Sequence, residues 1–444
     1  MFKRSIYWFK RDLRIDENHS FLLASKKSYE IIPIFIFIPE ILDKFESYDK
    51  RLGFLINCLE HLSHEIEKIG GKFYCFYGKP CEIMEKLIRK YEIECVFTSD
   101  SSSWTGEKIQ EDVKEICLKL GVKFISYEDK FLSDLSKIPL KSTFTSFYKE
   151  WKKFLLSFSK ERILNVRTPT IEELTLEDLQ RSLKFQRNTY FPVEWFKERI
   201  NSFDFCGYEF TRNNLDLDGS SKLSPYIRFG LLSLNKLYSI VSAKCGEDCH
   251  FIKELAWREY WYSIKLNFPS FLDVEFQEKY RGMKWQNNEE YIRAFFEART
   301  GYPIVDAAIM QLKEENWIPN RARLILGSFL TKHLLTDWRI GEKFFMKYLI
   351  DYDEVVNVGN WQWVASVGPD PRPLRIFNPI IQAQKFDPEA KYIKKYLPEL
   401  SKMPPYMLHD PITYKLPYYK PIVNHYQQVP IIKNFYLKAK YEKS

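Results

Sequence analysis

The chain has 444 residues, of which 45% are hydrophobic and 28% charged. That balance excludes a disordered, collagen-like or low-complexity protein, and the length allows two to four domains. The net charge is +8, and residues 391–444 supply most of it with ten Lys against three acidic residues, which suits a polyanionic partner or a solvated basic tail.

The opening stretch, MFKRSIYWFKRDLR, breaks every short apolar run with charge, so no secretory signal is expected. Ser5–Phe9, Ile31–Ile38, Lys72–Tyr77, Cys95–Ser99 and Lys123–Tyr127 are short β-branched and aromatic runs that predict strands. Between them Arg51–Ile69, Cys81–Tyr91 and Glu107–Leu120 have helical periodicity. The alternation predicts an α/β domain over residues 1–130, a doubly wound parallel sheet with helices on both faces. Such sheets take ligands at the carboxyl ends of their strands. Neither G-x-G-x-x-G nor a P-loop occurs.

Residues 131–200, rich in Ser, Lys, Thr and Pro, predict an interdomain linker with a few short helices. From 201 to 444 helical patterns dominate, and an all-α domain is expected. No run approaches the roughly 20 apolar residues of a membrane helix. The eight Cys are scattered, which argues against a disulfide framework and for a reducing, cytoplasmic setting. Cys245, Cys249 and His250 form a C-x3-C-H cluster without a second half, so a surface turn is expected there, not a metal site.

Three constellations could carry chemistry. Asp218-Gly-Ser-Ser-Lys-Leu-Ser-Pro225 gathers hydroxyls and an ammonium before a helix, as a diphosphate requires. Equally, Ser224 could be an N-cap with Pro225 at the first helical position. Glu254, Trp257, Arg258 and Trp261 fall at i, i+3, i+4 and i+7, one helix face, suited to a ligand with flat rings and carbonyls or to buried indoles with outward charges. Asn320, Arg321, Arg323, Asp351, Asp353, Asn357, Trp361 and Trp363 could read a heteroaromatic edge or form ion pairs and core. Trp361 and Trp363 share a side if extended and diverge if helical. The 17% aromatic content suits ring stacking and a large helical core alike.

Together these segments resemble the photolyase/cryptochrome family. The resemblance runs through Trp8-Phe-Lys-Arg-Asp-Leu-Arg14, the Asp218–Pro225 loop, Trp257-Arg-Glu, Gly301-Tyr-Pro-Ile-Val-Asp-Ala-Ala308, Asn320-Arg-Ala-Arg323, Asp337-Trp-Arg339, Trp361-Gln-Trp363 and Arg375-Ile-Phe-Asn-Pro379. It covers nearly the whole chain in the family's domain order and is closest to class I cyclobutane pyrimidine dimer photolyases. It implies a light-driven DNA repair enzyme, in which reduced FAD passes one electron to a flipped-out dimer in damaged DNA.

By that resemblance Tyr208, Ser220, Ser221, Lys222, Leu223 and Ser224 meet the FAD phosphates. Arg323, Asp351, Tyr352 and Asp353 lie at the flavin ring, and Asn357 beside its N5. Glu254 bonds the dimer, Trp257 and Trp363 pack against it, and Arg258 and Trp261 extend that face. Asn320, Arg321, Gln382 and Arg212 contact lesion and DNA. Trp361, Trp338 and Trp285 match the family's electron relay. A soluble, monomeric, cytoplasmic protein associated with DNA is the corresponding expectation.

Departures narrow the family. Pro319 and Asn320 replace the His pair of (6-4) photolyases, and Leu324 replaces a common pocket Met. The iron–sulfur branch needs Cys beyond Cys249, and none follows. Asp351-Tyr-Asp353, Gly359-Asn-Trp361 and Val367-Gly-Pro-Asp-Pro-Arg372 resemble DASH-type proteins of single-stranded DNA, yet those carry Tyr where Trp363 stands. An antenna chromophore is implied for the N-terminal domain. Its usual N-x-x-Y element is represented only by Asp100–Trp104, which leaves folate, deazaflavin, a second flavin or none open. A blue-light receptor is the rival from another class, although no low-complexity tail is present.

Overall fold

In the computed structural model, β1 (Phe2–Phe9), β2 (Ser28–Phe37), β3 (Tyr74–Tyr77), β4 (Cys95–Ser99) and β5 (Lys123–Tyr127) form one parallel sheet in the order β3-β2-β1-β4-β5. Residues 1–42, 50–101, 103–128, 130–157, 161–180, 191–370 and 374–441 are described. Ile6 lies in register with Ile32 on one side and Val96 on the other. Helices cover both faces, so the strands read as nearly continuous apolar runs. Ile6, Trp8, Ile34, Tyr74 and Val96 pack with Met84 and Leu87 in one core. The strand order turns between β1 and β4, the position where such sheets take ligands.

The covering helices are α1 (His19–Lys27), α2 (Lys50–Lys68), α3 (Pro80–Tyr91) and α4 (Trp104–Lys119). The last three agree with their sequence periodicity to within three residues at each end. The sequence gives no signal for α1, a nine-residue helix of weak amphipathicity. Its start is fixed locally instead, by Asn18, whose side chain accepts from the Phe21 N–H.

The chain divides into two compact units. The first comprises Met1–Ser133, Leu155–Phe203 and Leu223–Ala243; the second comprises Asp134–Phe154, Asp204–Lys222 and Lys244–Ser444. The stretch 131–200 is therefore shared between them. Its later part lines the α/β layer of the first unit, where Arg167 O accepts from Ile31 N and Leu174 O from Cys75 N.

Elements of the second unit that matter below are α5 (Phe144–Trp151), α6 (Tyr208–Thr211), α7 (His250–Asn267), α8 (Asn320–Ser328), α9 (Trp338–Tyr348), α10 (Glu354–Val364), α11 (Pro379–Phe386) and α12 (His425–Tyr441). Gly359 on α10 has no room for a side chain, since a Cβ there would stand 2.3 Å from the Trp261 ring. Gly341 lets α9 approach Trp361 in the same way, with 2.2 Å to the indole.

One disulfide, Cys206–Cys245, is present, a pairing that the scattered Cys do not signal. Cys245 is thereby withdrawn from the C-x3-C-H cluster, and Cys249 remains a free thiol. Among the described residues no helix is long and apolar enough to cross a membrane.

Candidate active site

The site is built on α7. Glu254 stands one turn after His250, and Arg212, just after α6, reaches both: its Nη1 donates to Glu254 Oε1 and approaches His250 Nε2, which itself lies 3.3 Å from Glu254 Oε1. Burial by itself would raise the pKa of Glu254. The His250 hydrogen bond and the Arg212 charge outweigh it and hold the carboxyl below its ordinary range. Glu254 is thus a partly buried, preorganised carboxylate. Sequence reasoning missed His250 in this role, having read the Cys245–His250 stretch as a surface turn.

Three residues further along α7, Trp257 is only partly covered. Phe144 of α5 stacks on its indole with centroids 4.0 Å apart and planes 7° from parallel. Trp151 fixes α5 to α7 by donating its Nε1–H to the buried Glu259 at 2.8 Å. Trp261 has a different place from the one expected. It is 1% exposed and packs against Trp257, Tyr260 and Phe271, so it supports the face from the core and does not form it. Arg258 turns away over the Tyr262 ring at 4.9 Å.

A second group lies where α8, α9 and α10 meet. Arg323 Nη2 pairs with Asp351 Oδ2 at 2.8 Å, and its Nε donates to Ile318 O. Asp353 caps α10 by accepting from Val356 N and also accepts from Tyr262 Oη at 2.6 Å. Asn357 is 8% exposed, and its Nδ2 donates to Glu342 Oε1 at 3.2 Å and Glu342 O at 3.3 Å. Tyr352 donates to the same Glu342 Oε1 at 2.7 Å. These bonds leave the Asn357 amide oxygen facing the other way. Burial pushes the Glu342 carboxyl above its ordinary range, against both hydrogen bonds. Sequence reasoning missed Glu342, because one Glu in an amphipathic helix carries no mark.

The loop Asp218–Lys222 packs on α6 through Gly219, where a Cβ would come within 2.4 Å of Thr211 O. Lys222 has φ 56°, pairs with Asp218 at 3.1 Å and lies over the Trp317 ring at 5.6 Å. A cavity of about 310 Å³ opens there, lined by Asp218, Ser220, Lys222, Trp317, Lys395 and Tyr396 among others. The chain then passes into the first unit, where Ser224 begins the helix Ser224–Phe229. Leu223, not Ser224, occupies the cap position, so the N-cap alternative for Ser224 is not realised.

Arg321 joins two segments, with Nη2 donating to Asn213 Oδ1 at 2.8 Å and Nη1 to Gln382 Oε1 at 3.2 Å. Asn320 is exposed beside it at the start of α8. Trp361 and Trp363 lie on one helix and diverge. Trp361 is buried against Phe345, whereas Trp363 is partly exposed under the Arg375 guanidinium at 4.6 Å. Trp338 is buried, with its Nε1–H on Glu275 at 3.3 Å. Trp285, half-exposed, packs on Phe435 and Tyr436. The DASH-like wording at Val367–Arg372 ends outside the described residues, since 371–373 are not among them.

In the first unit a polar cluster stands at the carboxyl ends of β1 and β4. Lys10 Nζ donates to Ser101 Oγ at 3.0 Å and to Gln110, which also bonds Asp100. Burial lowers its pKa to about 7. Trp8 lies under the ammonium at 4.9 Å.

The donor set of the second unit fits a dinucleotide with a flat, carbonyl-bearing ring. Hydroxyls and an ammonium line one loop; a guanidinium, two carboxylates and an amide form the other group. Comparison with known proteins agrees. Residues 251–436 match the family described as the FAD binding domain of DNA photolyase, and residues 5–169 match DNA photolyase. A deoxyribodipyrimidine photo-lyase from Synechococcus sp. is 33% identical, with 98% of this chain and 96% of that protein covered. An archaeal photolyase from Sulfolobus tokodaii, solved with two FAD molecules, superposes with a TM-score of 0.88 at 31% identity over 98% of this chain and all of its own. A class III photolyase from Agrobacterium tumefaciens gives 0.88 at 27% identity, over 100% of this chain and 98% of its own. The chain belongs to the DNA photolyase family and is an enzyme of that family, with an FAD-binding domain in its helical unit.

Proposed function

We propose that the protein repairs cyclobutane pyrimidine dimers in DNA, driven by blue light. One observation carries this reading. The helix α7 bears Glu254 and Trp257 on its first turns, and two turns on it bears Tyr262, which holds Asp353 at 2.6 Å. A single rigid element thus couples a face built for a polar, flat lesion to the group expected at the flavin.

Bound reduced FAD supplies the electron. The protein's own residues do the rest. Ser220, Ser221 and Lys222 hold the diphosphate, and Arg323 with Asp351 fixes the ring edge. Glu342 orients Asn357, so that an amide oxygen, which cannot donate a proton, faces N5. Glu254, kept ionised, accepts from a base edge of the dimer. Trp257, backed by Phe144, and Trp363 stack on it and exclude water, offsetting the few kcal/mol lost when the dimer leaves the duplex. Trp361 and Trp338 in the core and Trp285 at the surface serve to reduce oxidised flavin.

The partner is damaged DNA, and the setting is the DNA-containing cytoplasm, with the protein acting as a monomer. The polar cluster around Lys10 suits a second, light-harvesting ring of the flavin class, as in the similar Sulfolobus protein with its two FAD molecules.

The test is dimer loss under blue light, with reduced protein and thymine-dimer DNA as duplex and as single strand. Repair of duplex supports the proposal, and repair of single strands alone moves the protein to the DASH-like branch. Retained flavin without any repair points to a receptor. Glu254→Ala should lower repair about tenfold to a hundredfold while FAD stays bound, the worth of a hydrogen bond to a charged group.

A further inference from the structure

One ring nitrogen stands between two partners that ask opposite things of it. His250 Nε2 meets Arg212 Nη1, and it also lies 3.3 Å from Glu254 Oε1. A guanidinium has only donors, so toward Arg212 the nitrogen must offer a lone pair, as a neutral ring does. An ionised carboxylate only accepts, so toward Glu254 the same nitrogen must carry a proton. One proton decides which bond is made, and histidine is the side chain whose charge changes near neutrality.

The surroundings set the state of the free protein. Arg212 Nη1 already pairs with Glu254 Oε1, so the anion is answered. Arg321 of α8 is a second guanidinium, close enough for its charge and that of Arg212 to act on one another. On α6, exposed Glu209 acts on Arg212, and the Tyr208 ring lies 6.2 Å from that of His250. Burial, and then Glu254, push the Tyr208 phenol up, so it stays uncharged. Beside the start of α7, Asp248 is held by Lys152 and Tyr148, Lys253 acts on Asp248, and the Cys249 thiol adjoins His250. Two guanidiniums around one buried carboxylate favour a neutral His250.

Arg212 is also the residue expected on the DNA backbone, yet its side chain is only 14% exposed. It meets a phosphate by turning outward. That turn strips Glu254 of its cation and brings a second anion close. Both changes favour a protonated ring, whose Nε2–H then donates to Glu254.

We propose that binding of damaged DNA is coupled to the uptake of one proton at His250, which takes over Glu254 as Arg212 passes to a DNA phosphate. His250 is thus a positioning residue, keeping Glu254 ionised and in place for the lesion throughout the exchange. The proposal rests on the repair reading above and adds to it a dependence on pH. The bound state carries the extra proton, so affinity is greatest at low pH and falls as pH rises.

The experiment titrates the full-length protein, H250Q and C249S with dimer-containing duplex in the dark. Calorimetry from about pH 6 to 8, where histidine titrates, is run in two buffers of different ionisation enthalpy to count protons. Glutamine can serve either partner but cannot titrate, and C249S controls for the adjoining thiol. The parent should take up close to one proton per complex, and its affinity should fall up to about tenfold per pH unit, the limit for one proton. C249S should match it. H250Q should take up nearly one proton fewer and respond more weakly to pH, with flavin absorbance retained. Equal counts in parent and H250Q overturn the coupling, and a count lost in C249S overturns the assignment to His250. Repair under light is scored on the same samples. Repair with equal counts overturns the coupling alone, whereas a proton that depends on His250 without repair overturns the repair reading alone.

Discussion

The two units bury different things. The described core of the first is aliphatic and aromatic, and its buried carboxylate Asp12 is satisfied locally by Tyr7 at 2.6 Å and by Asn18. The second buries Glu259, Asp306, Lys332, His333, Asp351 and Asp387, each within 8% exposure. Burying charge stabilises poorly unless every partner is present. The second unit therefore gives up part of its hydrophobic gain to hold a polar interior in fixed geometry, and the candidate site draws on that interior. The first unit is a support whose ion pairs lie mostly at its surface.

Substitutions can sharpen this contrast. The largest effect is expected from Asp351→Ala, which leaves Arg323 without its carboxylate. Breaking such a pair costs about 3 kcal/mol, and the urea midpoint should drop together with loss of flavin absorbance. Unchanged flavin retention would remove the pair from the cofactor site. Gly359→Ala comes next. It drives a methyl into Trp261, 2.3 Å away, and overpacking of this kind costs about 1–3 kcal/mol. Thermal melts should show it, with repair falling as the Trp257 face shifts.

A pH effect of similar size is expected from the buried His333–His425 pair, whose ring nitrogens are 2.8 Å apart. Burial, and for His333 also the neighbouring His425, lowers both pKa values, that of His333 to about 3. The unfolded chain binds these protons below about 6.5 and the folded chain does not, so stability is full above that pH and is lost as pH falls. His333 alone should account for about 2 kcal/mol between pH 6.5 and 5. Urea titrations at the two pH values would read it, and a flat profile would show that the pair is protonated in the fold. The smallest effect belongs to the first unit. Arg89→Ala removes an exposed i, i+4 pair with Glu85 at 2.9 Å, worth about 0.3–0.5 kcal/mol. A loss above 1 kcal/mol there would break the contrast between the units.

The same contrast explains what was legible. All five strands and three of their covering helices follow from apolar patterning, because a sheet buried on both faces must be written in continuous apolar runs. The roles expected of Glu254, Trp257 and Asn357 came from family resemblance, since an acid or an amide in a helix looks the same whether it faces water or a cofactor. Trp261 illustrates the limit. Its spacing puts it on the face of Glu254 and Trp257, yet the close approach of α10 through Gly359 covers it. His250 illustrates the converse, since its place after two Cys read as a plain surface turn, and the fold brought it to Arg212 and Glu254.

The sequence by itself determined the α/β-then-α order, the strand positions and, through its motifs, the family. Those features depend on local periodicity and on residues near one another in the chain. Only the tertiary structure decided the Cys206–Cys245 pairing, the sharing of Arg212 between Glu254 and His250, and the Glu342 support behind Asn357. Each joins side chains from different segments, 15 to 42 residues apart where hydrogen bonds are made. No periodicity encodes such meetings, because packing of whole elements brings the groups within bonding distance.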